Sequence, residues 1–119
     1  MQVAIVALCL LIALEHVWFL ALEMFLWTKP LGMKTFGRTK AQAEESAVLA
    51  ANQGLYNGFL AAGLVWGAVA SNPVGAQVRV FFLACVLIAG VYGGFTAKRS
   101  ILVVQALPAA IGLALIGMA

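Results

Sequence analysis

The first apolar stretch of the chain covers residues 3–27 and reads VAIVALCLLIALEHVWFLALEMFLW. It is long enough to cross a bilayer as a helix, which takes about 20 mostly apolar residues. Three ionisable side chains interrupt it, namely Glu15, His16 and Glu23. A charge at bilayer depth costs roughly 2.5–3.5 kcal/mol on insertion scales. We therefore interpret these three side chains as candidates for a functional site.

The composition of the whole chain is typical of an integral membrane protein. Of its 119 residues, 65% are hydrophobic and 9% are charged, whereas soluble domains carry about 25% charged residues. The net charge of +3 does not indicate nucleic-acid binding, because the cations lie in short loops between apolar runs. Cys9 and Cys85 lie inside apolar segments without CxxC spacing, which is typical of small buried hydrophobic residues. The N-terminal run has no basic leader, so we expect a retained helix.

Hydropathy and helix-breaking residues predict a single transmembrane domain over residues 1–119. We expect an all-α fold, an integral membrane up-down four-helix bundle with spans at about residues 3–27, 40–70, 77–96 and 100–118. The segment KPLGMKTFGRTK after the first span is interpreted as a basic loop, because its proline and glycines break helices. Pro108 is expected to kink the last span. Short loops make consecutive helices antiparallel neighbours.

The basic residues predict the orientation in the membrane. They concentrate in the first and third predicted loops, as Lys29, Lys34, Arg38 and Lys40, and as Lys98 and Arg99. The second loop has only Arg79 at its edge. Because cytoplasmic loops carry an excess of Lys and Arg, we expect loops one and three in the cytoplasm and both termini outside.

Helical periodicity groups the polar side chains of the first two spans. At 100° per residue, His16 and Glu23 share a face, separated by a rise of roughly 10 Å, which excludes one metal ion gripped directly by both. Two adjacent stripes of the second span carry polar groups: Glu45, Leu49, Asn52 and Tyr56, and Ser46, Ala50, Gln53 and Asn57. Antiparallel packing predicts residues 52–56 level with Glu15 and His16, and Glu45 level with Glu23.

These groups predict a polar pocket in the cytoplasmic half of the bundle. The candidate catalytic side chains are Glu15, His16 and Glu23. The candidate ligand-binding side chains are Glu45, Asn52, Gln53, Tyr56, Asn57, Tyr92, Arg99 and Gln105. No HExxH or paired-histidine spacing predicts a metal site. The GxxxG spacings, such as Gly54 with Gly58, are typical of close helix packing within the bundle or between subunits of a homo-oligomer.

The chain resembles a known family, the small bacterial four-span proteins grouped as domain of unknown function 1304 and sometimes labelled epimerases. The motifs that carry the resemblance are LEHVWFLALEMFLWTKP, FG, AEE, LAANQGLYNGFLAAGLVWG, AGVYGG and VQALPA. They cover nearly the whole chain, and ANQGLYNGFLAAGL is very specific. The resemblance implies a multi-pass protein of the bacterial inner (plasma) membrane, with the lipid bilayer as a partner.

A weaker similarity is to the membrane-associated eicosanoid and glutathione metabolism proteins, which are four-span homotrimers with a glutathione site between subunits. Asn52 matches an asparagine of their second helix, while Ala50 and Ala51 precede it and Leu55 stands where they have Glu. Tyr92 followed by Arg99 loosely resembles their third-span tyrosine and basic turn. This similarity implies glutathione as a cofactor, positioned by Arg99 and Asn52 with Tyr92 near the thiolate, and a trimer as the assembly.

Three functions are open at this point, and the residues do not decide whether the protein is an enzyme. The first is a membrane-embedded enzyme or binding protein for a small lipophilic or amphipathic molecule, with His16 beside Glu15 as a proton carrier. The second is a small oligomeric transporter or channel for protons, metal ions or small solutes. The third is a structural membrane assembly protein. Nucleotide use is not expected, since no P-loop or GxGxxG follows a strand.

Overall fold

The computed structural model describes residues 1–119 and is all-helical. Five α-helices are present: α1 (Gln2–Met24), α2 (Pro30–Phe36), α3 (Lys40–Val69), α4 (Val74–Thr96) and α5 (Leu107–Met118). A π-helical segment, Leu102–Ala106, directly precedes α5. The all-α class is confirmed, and the long helices lie within a few residues of the predicted spans.

Two of the helices are long and apolar enough to cross a membrane, α1 and α4. The apolar segment Leu102–Met118 is shorter. α3 is the longest helix, with 30 residues, but Asn52, Gln53 and Asn57 lower the hydropathy of its middle. The structure thus supports membrane-crossing capacity for α1 and α4.

Helix α2 shows that the prediction of an irregular first loop was wrong. Pro30 occupies the first turn of α2, where the missing N–H costs nothing because the first N–H groups of a helix have no partner within it. Gly37 ends the helix in the left-handed conformation, with φ of 63°. The N–H of Arg38 then donates to the carbonyl of Met33 at 2.9 Å. Pro30 therefore starts α2, whereas α1 ends earlier, at Met24.

The start of α3 at Lys40 is fixed by a reciprocal cap. The N–H of Thr39 donates to Oε1 of Gln42 at 3.0 Å, and the N–H of Gln42 donates to Oγ1 of Thr39 at 3.2 Å. This capping box satisfies two N–H groups that lack helical partners.

Pro108, where a kink is predicted, directly follows Leu107, and a π-helical segment lies just before these two residues. The N–H of Leu107 donates to the carbonyl of Leu102, five residues earlier. A proline ring clashes with the carbonyl four residues before it, which for Pro108 is that of Val104. A π turn is rare, and it occurs mostly as a single wider turn inside an α-helix.

The chain divides into two compact units. The first unit comprises Met1–Ala13 and Leu60–Ala119. Its core is apolar and contains Ile5, Cys9, Ile12, Ala13, Ala61, Leu64, Leu83, Val86 and Ala109. A Cβ on Gly90 would lie 2.9 Å from the Cα of Ala106, so the absence of a side chain lets α4 and the π-helical segment approach closely. This agrees with the packing role predicted for the GxxxG spacings.

The second unit is Leu14–Phe59 and contains α2. Its apolar cluster consists of Trp27, Ala43 and Ala50, with Met33 and Ala47 packed against it. The indole N–H of Trp27 donates to Oγ of Ser46 at 3.1 Å. The rings of Trp27 and Phe36 lie 4.8 Å apart. Trp27 thus joins the end of α1 to both α2 and α3.

Candidate functional site

A buried carboxylate–amide pair lies where α1 crosses α3 in the second unit. The side chain of Glu23 is 3% exposed. It accepts a hydrogen bond from Nδ2 of Asn57 at 2.5 Å. Hydrogen bonds to a charged group contribute about 1.5–3 kcal/mol, and a buried charge without them is costly. The hydrogen bond from Asn57 therefore offsets part of the desolvation cost of burying the Glu23 carboxylate.

Two glycines of α3 make this pair possible. A Cβ on Gly54 would lie 2.8 Å from Cγ of Met24 and 3.0 Å from Cβ of Glu23. A Cβ on Gly58 would lie 2.7 Å from Cδ1 of Leu20. Both distances are below ordinary contact. Gly54 faces the Cβ of Glu23, which cannot move aside without the helix, so α3 approaches α1 this closely because that position lacks a side chain; Gly58 faces the flexible end of Leu20. Asn57 comes directly before the second glycine, which brings its short side chain within reach of Glu23.

The two other ionisable side chains of α1 differ in environment. His16 is completely buried, and its ring packs edge-on against Phe19 at 5.3 Å between centroids. Glu23 is buried as well. The burial of both side chains agrees with the expectation that residues seven apart share a helix face. Glu15 is half-buried, and its Oε1 is buried without a hydrogen bond from the chain. A chemical group that donates a hydrogen bond would satisfy that oxygen.

The predicted depth matching of α1 and α3 was wrong. Glu45 was expected level with Glu23, but Glu45 is exposed, and Asn57 meets Glu23. At the end of α1, Trp27 lies opposite Ser46. Small residues set the alignment, because the Trp27 ring fits against Ala43 and Ala50 while Leu20 and Met24 fit against the two glycines.

The remaining predicted side chains of α3 lie outside the crossing. Asn52, Gln53 and Tyr56 are all exposed on the single chain. The ring of Tyr56 packs edge-on against Phe59 at 5.4 Å. Of the two predicted polar stripes, the structure brings only Asn57 to the ionisable face of α1. In the sequence, Asn57 differs from the other polar residues of these stripes because it directly precedes Gly58, the second glycine of the close approach.

Tyr92, Arg99 and Gln105 belong to the first unit. Tyr92 is 72% exposed and lines an open, largely apolar groove of about 440 Å³ on α4 with Leu87, Ile88, Val91, Phe95 and Thr96. The guanidinium carbon of Arg99 lies 5.8 Å from the ring centroid of Phe95. Gln105 is half-buried in the π-helical segment. These three side chains are thus displayed on a different unit from Glu23 and Asn57.

Sequence reasoning missed Arg79, which it counted only as a loop charge. Arg79 is 3% exposed. Its Nη1 donates to the carbonyl of Gly67 at 2.6 Å, and its Nη2 donates to Oδ1 of Asn72 at 3.2 Å. A cation near the last carbonyls of a helix is favoured by the helix dipole, so Arg79 stabilises the C-terminal end of α3. Its position inside the apolar run VRVFFLACVL was the available signal.

The donor set of the chain does not form a metal centre. No group of three or more His, Cys, Asp or Glu side chains is placed to hold a metal ion. What the second unit offers is a carboxylate tied to an amide, a buried imidazole and a half-buried second carboxylate. Such a set can accept hydrogen bonds from a bound molecule and can move protons.

Comparison with known proteins places the chain in a family. The profile of the family described as "Protein of unknown function (DUF1304)" matches residues 10–117. The chain is 32% identical over 107 residues to the uncharacterized protein YpaA of Lactococcus lactis subsp. lactis (strain IL1403), covering 88% of this chain and 89% of that protein. No solved structure matches the chain. The protein therefore belongs to the DUF1304 family.

Proposed function

We propose that this protein is a multi-pass inner-membrane protein that binds a small amphipathic molecule through the buried pair of Glu23 and Asn57. The single observation that carries the proposal is the hydrogen bond between these two side chains across the α1–α3 crossing. A purely structural crossing could be built from the glycines and apolar residues alone. A buried carboxylate at this place is costly, which favours a functional reason for keeping it.

The membrane placement is part of the same proposal. The apolar helices α1 and α4 support it, and the basic segments between the helices favour cytoplasmic loops one and three. In this arrangement α3 and the segment Leu102–Met118 complete a four-span bundle with both termini outside. Glu23 then lies in the cytoplasmic half, near the mouth of the bundle.

The chemistry of the site suggests what kind of molecule it takes. Glu23 and Glu15 offer carboxylate oxygens, so a fitting ligand presents a hydrogen-bond donor such as an ammonium or hydroxyl group. The apolar surroundings favour a ligand that also carries a hydrophobic part. His16, next to Glu15 in sequence, gives the site a group that can carry a proton if the ligand is chemically changed.

A homo-oligomer fits the exposed face of α3. Asn52, Gln53 and Tyr56 are exposed on one chain, and in a bilayer such side chains usually find hydrogen-bond partners across helices. We propose that a second copy or the ligand itself supplies them. The distant similarity through Asn52 makes glutathione a separate ligand to test, apart from the site at Glu23, and a trimer the assembly to look for.

The proposal is tested by analysing what co-purifies with the protein. Detergent-purified protein is extracted, and bound small molecules are identified by mass spectrometry for the natural chain and for Glu23→Gln. We expect a recurrent molecule, distinct from bulk lipid, that the substitution strongly depletes. Glu44→Gln is the matched control, because Glu44 is an exposed carboxylate on α3. A molecule retained equally by all three proteins would refute the site.

A second candidate function, transport of protons or small ions, is favoured by the row of ionisable groups on α1. Glu15, His16 and Glu23 occupy one helix within eight residues of each other, and such groups also form ion paths. Flux in proteoliposomes separates the two functions. Transport predicts a flux that His16→Ala lowers, whereas ligand binding predicts no flux above that of protein-free vesicles.

A further inference from the structure

The segment between α1 and α3 concentrates positive charge on one side of the second unit. It holds Lys29, Lys34, Arg38 and Lys40, which are four of the seven Lys and Arg residues of the chain, and no Asp or Glu. All four cations are exposed. We call residues 29–40 the basic segment. Its charge is not diluted by acidic residues within the segment, so an anionic partner is the complementary one.

The basic segment is held firmly against the helices that flank it. A Cβ on Gly32 would lie 3.0 Å from the Cα of Trp27, so α2 packs its glycine directly onto the backbone at the end of α1. Met33 packs into the cluster of Trp27, Ala43 and Ala50. The cations of the segment are therefore displayed on an ordered support and not on a long mobile loop.

Arg38 is positioned by an aromatic contact. Its guanidinium carbon lies 5.7 Å from the centroid of the Trp27 ring, within the range of a cation–π interaction. The Trp27 ring is itself fixed by its hydrogen bond to Ser46 and by the Phe36 ring. Holding Arg38 in this way lowers the entropy that an anionic group must overcome when it binds there.

The outer side of α2 is amphipathic. Leu31 is 47% exposed, and Phe36 is 37% exposed, beside exposed Lys34 and Thr35. Apolar side chains next to lysines suit the boundary between lipid headgroups and acyl chains, where the apolar groups enter the boundary and the cations meet phosphates. A soluble anion would satisfy the cations but leave Leu31 and Phe36 in water.

We propose that the basic segment binds anionic phospholipid headgroups and gives this face of the protein a preference for anionic over zwitterionic phospholipid. The inference rests on the membrane placement in the proposed function. It is separate from the ligand site at Glu23, because it uses none of the same side chains. Each Lys or Arg near an anionic surface contributes an affinity factor of about five.

The experiment measures lipid selectivity directly. Delipidated protein is equilibrated in mixed micelles with equal amounts of phosphatidylglycerol and phosphatidylcholine, and the lipids that stay bound are counted by native mass spectrometry. We expect the natural chain to retain phosphatidylglycerol in excess. Lys34→Gln is expected to lower the bound ratio of the two lipids by about fivefold. Arg38→Gln should lower it at least as much, and Arg38→Lys should restore most of the loss.

Thr35→Ala is the matched control, since it changes an exposed residue of α2 without changing the charge of the basic segment. If it lowers the ratio as much as Lys34→Gln does, the loss does not depend on the cation, and the inference is overturned. Equal retention of both lipids by the natural chain overturns it as well. Extraction of cell membranes at alkaline pH tests the membrane placement separately, because an inserted protein stays in the pellet whatever its lipid preference.

Discussion

Each of the two compact units buries a side chain of opposite charge, Arg79 in the first and Glu23 in the second, and the two units compensate these charges differently. In the first unit, Arg79 lies against the last carbonyls of α3 and donates to Gly67 and Asn72. In the second unit, Glu23 lies in the interior of the α1–α3 crossing and meets only the amide of Asn57 among the hydrogen bonds that the structure shows. The guanidinium of Arg79 offsets the partial negative charge at the C-terminal end of α3. No helix end requires Glu23, and this difference is why we place the candidate site in the second unit.

The largest effect is expected from closing the space at the crossing. Gly54→Leu puts a branched side chain where Met24, Glu23 and Leu20 already lie within 3.3 Å of a Cβ. Extra methylenes in a packed core cost about 1–3 kcal/mol and occasionally more. A whole leucine side chain against these atoms should exceed that range, and the second unit should lose its fold. The measurement is thermal unfolding in detergent, followed by tryptophan fluorescence.

The control for this substitution is Gly117→Leu. A Cβ on Gly117 meets nothing within 4 Å, so the unfolding temperature should change little. Equal loss in both variants would show that leucine is harmful for a reason other than the α1–α3 approach.

The next largest effect is expected at Arg79. Arg79→Met keeps most of the apolar stem but leaves the carbonyl of Gly67 and Oδ1 of Asn72 without these donors. We expect a loss of about 2–4 kcal/mol in the free energy of unfolding. Arg38→Met, at an exposed arginine, should cost far less. Denaturant titration of the two variants distinguishes a structural Arg79 from a dispensable one.

Asn57 and Asn52 test the comparison on a single helix. Asn57→Ala removes the hydrogen bond to the buried Glu23, with an expected cost of about 1.5–3 kcal/mol. Asn52 is exposed, so Asn52→Ala should change the stability of the monomer by less than about 0.5 kcal/mol. Unfolding monitored at low protein concentration gives both values. A greater loss for Asn52→Ala would mean that the wrong asparagine has been placed at the crossing.

A smaller effect is expected at the other end of the second unit. Trp27→Phe keeps an aromatic ring between α2 and α3 but removes the donor to Ser46. A neutral hydrogen bond contributes about 1 kcal/mol, and Ser46→Ala should cost a similar amount. If the double variant costs no more than either single one, the two side chains act through this bond.

The sequence predicted the long helices well because their ends follow from local chemistry. The hydropathy of the long helices and the helix-breaking residues between them are visible without any tertiary contact. Helix α2 was missed because Pro30 was interpreted as a helix breaker, whereas it also fits the first turn of a new helix.

The partners in the site were harder to predict, because they depend on how two helices align. The spacing of His16 and Glu23 correctly indicated one buried face. Asn57 was among the predicted ligand-binding residues, but its contact with Glu23 follows from the fit of Leu20 and Met24 against Gly54 and Gly58. Arg79 was missed because a count of loop charges does not show which carbonyls a side chain reaches.

Ligand retention by Glu23→Gln, Asn57→Ala and the double variant tests the central claim most directly. If Glu23 and Asn57 hold the ligand as one unit, each single variant should lose most of the co-purifying molecule, and the double variant should lose little more. The readout is the amount of that molecule per mole of folded protein, by mass spectrometry. Retention by Glu23→Gln at the level of the natural chain, with the fold intact, would contradict the account.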